Sequence, residues 1–375
     1  MTIDYNKIKV IIHLDRIRHN YELILGIAGN ATPVIKADAY GHGLVPVART
    51  LAAAGANTFA VGTIEEAVKL RGMPFDGRII ALLGPFGEDE HEALIRGNII
   101  PLVFSLKELE RIDRLAGSLD AKVAVALKFD TGMARLGFRE SDIPRILKRL
   151  PDLPNTRLEM VCSHLAVADE PESAGFVRQQ AQTFARIVNG LRAAGYSFEA
   201  SLANSAAAIA YPELRFEMVR PGISLYGGNP FIGTNWENLG KELQQAMEVT
   251  APIVQVHDLK EGRSISYGLT FTAPQDMRVA VVAAGYADGY SRGMSNTGFM
   301  LVNGHRAPIV GRVCMQMTAI DVTGLSGVEN GTRVTLLGGE DPNAITADDL
   351  ASWWGTINYE VFCVLGLNRR EYVGE

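Results

Sequence analysis

Thr32-Pro33-Val34-Ile35-Lys36-Ala37-Asp38-Ala39-Tyr40-Gly41-His42-Gly43 contains a strand, a turn and the opening of a helix. The apolar run 32–35 reads as a buried strand that ends on Lys36. Tyr40 follows four residues later, and the Gly-His-Gly turn leads into the amphipathic stretch 44–54. A lysine at the end of a buried strand is poorly solvated, which disfavours the ammonium form and lowers its pKa. The resulting neutral amine can condense with an aldehyde to give a Schiff base. The Tyr40 hydroxyl and the amides of the glycine turn suit a phosphate. Schiff-base lysine and phosphate cradle together suggest pyridoxal 5'-phosphate. The same residues read equally well as a lysine snorkelling out of a strand end.

Working outward, the strand-then-helix unit recurs. Strands are predicted at 32–35, 58–61, 78–83, 99–103, 122–128, 157–163, 199–203 and 216–219, with helices at 44–54, 64–70, 106–115 and 176–194 among them. Thr63, Ser105 and Ser173 stand as N-caps, and Gly55, Gly72, Gly117 and Gly195 as terminators. About eight such units in roughly 190 residues predict an α/β fold, a (β/α)8 TIM-type barrel. A doubly wound sheet is the competitor, but the chain has no Gly-x-Gly-x-x-Gly turn. Between Gly227 and Gln245 the period breaks into a connector. From Met247 the texture becomes strands and turns: 249–256, 277–283, 299–302, 307–311, 318–322 and 333–337, with one helix at 347–354 after Thr346. The expected division is a barrel over 1–243 and a mainly β C-terminal domain over 244–375.

At 375 residues the chain accommodates two domains. A net charge of −6 without a basic cluster argues against a nucleic-acid partner. The stretch Met1 to Leu14 alternates apolar and charged residues and lacks a signal-peptide core. No apolar run approaches the ~18–20 residues that span a bilayer. Cys162, Cys314 and Cys363 are few and far apart, which argues against a disulfide framework and a thiolate metal site. A cytoplasmic location is expected.

In a parallel barrel the carboxyl ends of all strands open on one mouth. Lys36 ends the first predicted strand and Lys128 the fifth, ahead of Arg135. Ser163-His164 ends the sixth, Asn204-Ser205 the seventh and Arg220-Pro221-Gly222 the eighth. Each alone has a structural explanation; their convergence on one rim favours chemistry.

These motifs carry a resemblance. Val34–Gly43, Leu127–Gly137, Ala203–Ala206, Val219–Gly227, Ser266–Gly268, Gly285–Gly289 and Gly311–Met315 resemble, in order, the motifs of the bacterial alanine racemases. The resemblance covers essentially the whole chain and implies a PLP enzyme of fold type III that interconverts L- and D-alanine. It implies that Lys36 carries the cofactor and serves as base for the D-enantiomer, while Tyr267 serves the L-enantiomer, supported by His164 and Arg220. Arg220 would face the pyridine nitrogen. Phosphate would be held by Tyr40, Ser205, the Gly222 and Ile223 amides and Tyr359, with Asn204 alongside. Arg135 and the Met315 amide would bind the substrate carboxylate, and a carbamate on Lys128 would orient Arg135. Asp169, Tyr286, Arg292, Arg312 and Ile357, together with Tyr267 and Tyr359, would line the entrance. The resemblance also implies a head-to-tail homodimer with shared sites and a D-alanine supply for peptidoglycan.

One position departs from the family pattern: Gln316 stands where the family usually carries Asp, which bears on entrance electrostatics rather than on the reaction. Three other readings compete. A non-catalytic PLP homeostasis protein would lack the β domain. A racemase of broader range, acting on serine, lysine or arginine, would tend to differ at Lys128. A fold type III decarboxylase would need a cysteine-aspartate motif that is absent.

Overall fold

Apolar runs become six successive parallel strands: Thr58–Val61, Arg78–Ala81, Ile100–Val103, Val123–Lys128, Thr156–Cys162 and Glu199–Ser201. In this computed structural model, which describes residues 7–339 and 342–374, Met1 to Asn6 lie outside the described residues. The chain forms two units. One comprises Ile17–Ala39 and Leu44–Leu243; the other comprises Met1–Arg16, Tyr40–Gly43 and Gln244–Glu375.

In the first unit, Thr58–Val61 and Ile100–Val103 are buried throughout, as expected for parallel strands covered on both faces. The ring closes through bridges rather than full strands. Val34 pairs with Ala60 and Ala31 with Val219. The Ile35 amide donates to the Ala60 carbonyl at 2.8 Å, and that of Arg220 to Ala203 at 2.9 Å. The predicted strands at 32–35 and 216–219 are thus reduced to single bridges. Pro33 and Pro221 have no N–H to continue a ladder, and Phe216 turns at φ 48°.

Helices Ile64–Arg71, Leu106–Ser118 and Ala174–Ala193 follow the predicted periods. Thr63 accepts from the Glu66 amide and Ser105 from that of Glu108, both at 3.2 Å. Each such cap contributes about 1 kcal/mol. Ser173 makes no cap bond, because its hydroxyl donates to Glu170 Oε2 at 2.9 Å. Gly117 does not end its helix, which continues to Ser118.

The second unit is built on the long strand Met247–Leu259, which pairs antiparallel with Lys9–His13, Met277–Val282 and Arg333–Leu337. Lys9–His13 also pairs in parallel with Arg370–Val373. Phe299–Val302 and His305–Pro308 form a hairpin whose two turn residues, Asn303 and Gly304, both have positive φ, as a type I′ turn requires. That strand is expected at 307–311. It lies earlier because the tight turn fixes its start and Gly311 bends the chain at φ 77°. Helix Ala347–Trp354 has a full capping box from Thr346 and Asp349, and a second, unanticipated helix covers Asn358–Leu365. Among the described residues, no helix is long and apolar enough to cross a membrane.

Candidate active site

Lys36 opens a left-handed turn. Ala37, Asp38, Ala39 and Tyr40 all have φ between 52° and 56°. For residues with a Cβ this conformation costs roughly 1–2 kcal/mol each, so the surroundings must enforce it. Within the first unit, the Asp38 amide donates to Glu66 Oε1 at 3.0 Å, and the Asp38 carboxylate accepts from the Leu44 amide at 2.8 Å. The turn redirects the chain directly after the lysine, which stands half-buried at the barrel mouth.

Beside it the mouth is cationic. Lys128 ends its strand at 8% exposure, and Arg220 is equally buried. Burial lowers the Lys128 pKa to about 8, with Arg220 and Arg135 acting in the same direction. His164 is held well below its usual value, first by burial and then by Arg220, Lys128, Arg135 and Lys36. The structure therefore brings these five residues within electrostatic reach of one another, and the side-chain charges acting on His164 are those of four cations. The imidazole is consequently neutral near pH 7.

The expected grip of Arg220 on His164 is not made. The guanidinium donates to Ser201 Oγ and, at 2.6 Å, to the Ser163 carbonyl. It acts on His164 through space and through the adjoining peptide. The Ser163 hydroxyl in turn bonds Thr131 Oγ1 and the Phe129 carbonyl, both at 2.8 Å. Gln180, fully buried on its helix, donates to the His164 carbonyl at 3.2 Å and accepts from the Ala166 amide at 3.0 Å.

Asn204 caps the short helix Ser205–Ala210 by accepting from the Ala207 amide at 3.1 Å. The Ser205 hydroxyl accepts from the Gly222 amide at 2.9 Å, and Ile223 follows as the start of a 3-10 turn. Asn204, Ser205, Gly222 and Ile223 therefore form one polar corner. Asp169 lies further along the loop after strand Thr156–Cys162, its carboxyl pKa raised by burial.

In the second unit, the Tyr40 and Tyr359 rings lie 5.9 Å apart. Burial raises the Tyr40 pKa, so it is a phenol and a donor. Tyr267 is 71% exposed, in a strained turn where Ser266 has φ 68° and ψ 179°. Ser266 Oγ donates to the Arg312 carbonyl at 2.6 Å, and a Cβ on Gly268 would sit 2.9 Å from Arg312 Nη1. Arg312 therefore packs against the Tyr267 turn. The Tyr286 amide donates to the Cys314 carbonyl at 3.1 Å and that of Ala287 to Met315 at 2.8 Å, which sets Tyr286 beside Met315. Arg292 begins a 3-10 turn, and Ile357, the N-cap of Asn358–Leu365, is 60% exposed.

Sequence reading missed the residues that hold these groups: Glu66, Thr131, Gln180 and Ser201. Only Glu66 left a local signal, as the acid three residues after the Thr63 cap.

A parallel barrel whose mouth joins a strand-end lysine, a neutral imidazole and buried cations, followed by a β domain, defines a barrel enzyme equipped for proton transfer. The family model described as alanine racemase, N-terminal domain, matches residues 12–230, and that for the C-terminal domain matches 246–372. The alanine racemase of Nitratidesulfovibrio vulgaris (strain Miyazaki F) is 55% identical over 372 residues, covering 99% of this chain and 100% of the relative. The structure of alanine racemase from Streptomyces coelicolor is similar at a TM-score of 0.91, with 32% identity and 98% of each chain covered. That from Bartonella henselae, described with covalently bound pyridoxal phosphate, has a TM-score of 0.87 at 28% identity, covering 98% of this chain and 99% of its own. This chain belongs to the alanine racemase family.

Proposed function

We propose that this chain interconverts L- and D-alanine with pyridoxal 5'-phosphate carried on Lys36. The observation that carries the reading is the cluster of Lys36, Lys128, Arg135 and Arg220 around a neutral His164. Lys128 and Arg220 are buried cations at that mouth, and a phosphate together with a substrate carboxylate suits such a setting. The donor set fits: the Tyr40 phenol, Ser205 and the amides of Gly222 and Ile223 would hold phosphate, with Asn204 fixing the Ser205 turn and Tyr359 closing it. When bound, the cofactor would supply the electron sink that lets a Cα proton leave.

The remaining work falls to the chain. Arg220 would serve the ring nitrogen of the bound cofactor: as a permanent cation it would donate a hydrogen bond there without surrendering a proton. Lys36, as the free amine, removes and returns the proton on the D side. Tyr267 does so on the L side. A phenol needs help to act as a base; a neutral His164 supplies a hydrogen bond, and Arg220 supplies the charge. Arg135 and the Met315 amide hold the substrate carboxylate. A carbamate on Lys128 replaces a cation that opposes Arg135 with an anion that orients it. Asp169, Tyr286, Arg292, Arg312 and Ile357 line the approach.

A catalytic phenol at 71% exposure has no desolvating surroundings of its own. Met315 at 57% and Ile357 at 60% share its unit, and exposed apolar groups of this kind favour a partner surface. The reading is therefore a homodimer in which one copy's second unit completes its partner's barrel mouth, with the functional division at 243/244. It is a cytoplasmic enzyme supplying D-alanine for peptidoglycan. A barrel-only homeostasis role finds no support in a chain whose residues 246–372 match the second domain of the family. Incubation with L-alanine, then with serine, lysine and arginine, tests the function by chiral analysis of each product. Racemisation confined to alanine is expected; racemic lysine with untouched alanine would contradict it.

A further inference from the structure

We propose that Glu66 is a positioning residue for Lys36, holding the left-handed turn on which that lysine stands. The inference rests on the reading of Lys36 as the cofactor lysine and the base toward D-alanine.

Glu66 is the third residue of helix Ile64–Arg71, where a capping box with Thr63 accounts for one of its oxygens. Oε2 accepts from the Gly62 amide at 2.8 Å and from the Thr63 amide at 3.3 Å. A helix cap needs nothing more. Oε1, however, accepts from the Asp38 amide at 3.0 Å, a residue 28 positions earlier and two beyond Lys36. Gly62 stands between the two groups: a Cβ there would lie 3.1 Å from Glu66 Oε2 and 3.4 Å from Lys36 Cβ. The carboxylate is thus a brace between the exit of strand Thr58–Val61 and the turn after Lys36. Asp38 secures the far side through the Leu44 amide at 2.8 Å. Ala37, Asp38 and Ala39 have no intrinsic preference for φ of 53° to 56°, so loss of the brace lets the turn relax and swings the lysine.

Three N–H groups converge on Glu66, and only an acceptor-only carboxylate satisfies them all. Glutamine keeps one oxygen and turns an NH2 toward a donor. Because the alanine enantiomers are equal in energy, kcat/KM must stay equal in the two directions for every variant. The informative readout is the primary isotope effect with Cα-deuterated substrate, which reports how far each base's step limits the rate. A ratio of this kind does not depend on the folded fraction, so a purely structural lesion leaves it unmoved.

In Glu66→Gln holoenzyme, kcat/KM falls about tenfold. The isotope effect with D-alanine rises and that with L-alanine falls. Thr63→Ala, which removes the cap to the Glu66 amide but leaves Oε1 on Asp38, lowers the thermal midpoint and leaves both isotope effects at wild-type values. If Glu66→Gln gives no soluble protein, Glu66→Asp, one methylene short of reaching both sides, shows the same opposed shifts. Isotope effects that stay unchanged in the Glu66 variants, or shift equally in Thr63→Ala, overturn the proposal. Wild-type protein that fails to racemise alanine overturns the underlying reading, and this inference with it, before any variant is made.

Discussion

Arg220 donates to the carbonyl of Ser163 at 2.6 Å, and Ser163 is the residue immediately before His164. One guanidinium thereby fixes the peptide that carries the imidazole, while its charge helps to keep that imidazole neutral. Arg220 thus serves both the position of His164 and, after burial, its neutrality.

Arg220→Lys preserves the charge and loses the planar fork, so Ser201 and Ser163 are no longer held together. Racemisation falls by roughly 10²–10³ in kcat, measured by steady-state kinetics, while the cofactor stays covalently attached. Near-wild-type kcat would show that charge alone suffices.

Lys128 has an amine pKa of about 8 in the fold against 10.5 for the ordinary side chain. The native state therefore binds fewer protons between these values. Its contribution to stability is complete above 10.5 and is lost as pH falls through about 8, a swing of about 3 kcal/mol. In carbonate-free buffer the denaturant midpoint rises across this window, and Lys128→Met flattens the rise. Bicarbonate near neutral pH, by converting the amine to a carbamate anion beside Arg135, raises activity in the wild type and not in the variant.

Tyr267→Phe removes the proposed base on the L side. The isotope effect with Cα-deuterated L-alanine rises and that with D-alanine falls, opposite to the pattern expected for Glu66→Gln. Equal shifts in the two directions would rule out a division of labour between two bases.

Gly41 has φ +80°, and a Cβ there would lie 2.4 Å from the Phe362 carbonyl oxygen. Both the backbone angle and the close approach exclude a side chain. Gly41→Ala is expected to cost roughly 2–3 kcal/mol of stability, read from urea unfolding; a cost under half a kcal/mol would mean the helix Asn358–Leu365 yields readily.

Where local pattern decides structure, the sequence was readable. Strands Thr58–Val61, Phe299–Val302 and Arg333–Leu337 and helix Ala347–Trp354 have their predicted limits, because each is an apolar or capped run between clear breakers. Lys9–His13 was missed: its partners at Met247–Thr250 and Arg370–Val373 are remote, and nothing in Lys-Val-Ile-Ile-His announces them. The left-handed turn was equally hidden. Lys-Ala-Asp-Ala-Tyr carries no glycine, and the carboxylate that accepts from the Asp38 amide lies 28 residues away. Lys36, Lys128, His164, Ser205 and Arg220 were legible from their place at strand ends, whereas Tyr267, Met315 and Tyr359 were reached only through the family resemblance. The residues that hold the strand-end groups, such as Gln180 and Ser201, look like ordinary helix and strand positions until the packing is known.

The central claim is tested by reducing the cofactor-saturated protein with borohydride and mapping the modified lysine by peptide mass spectrometry. The expected result is a pyridoxyl phosphate mass on Lys36 and on no other residue, with Lys128 unlabelled. A label on a different lysine, or none at all, would contradict the account.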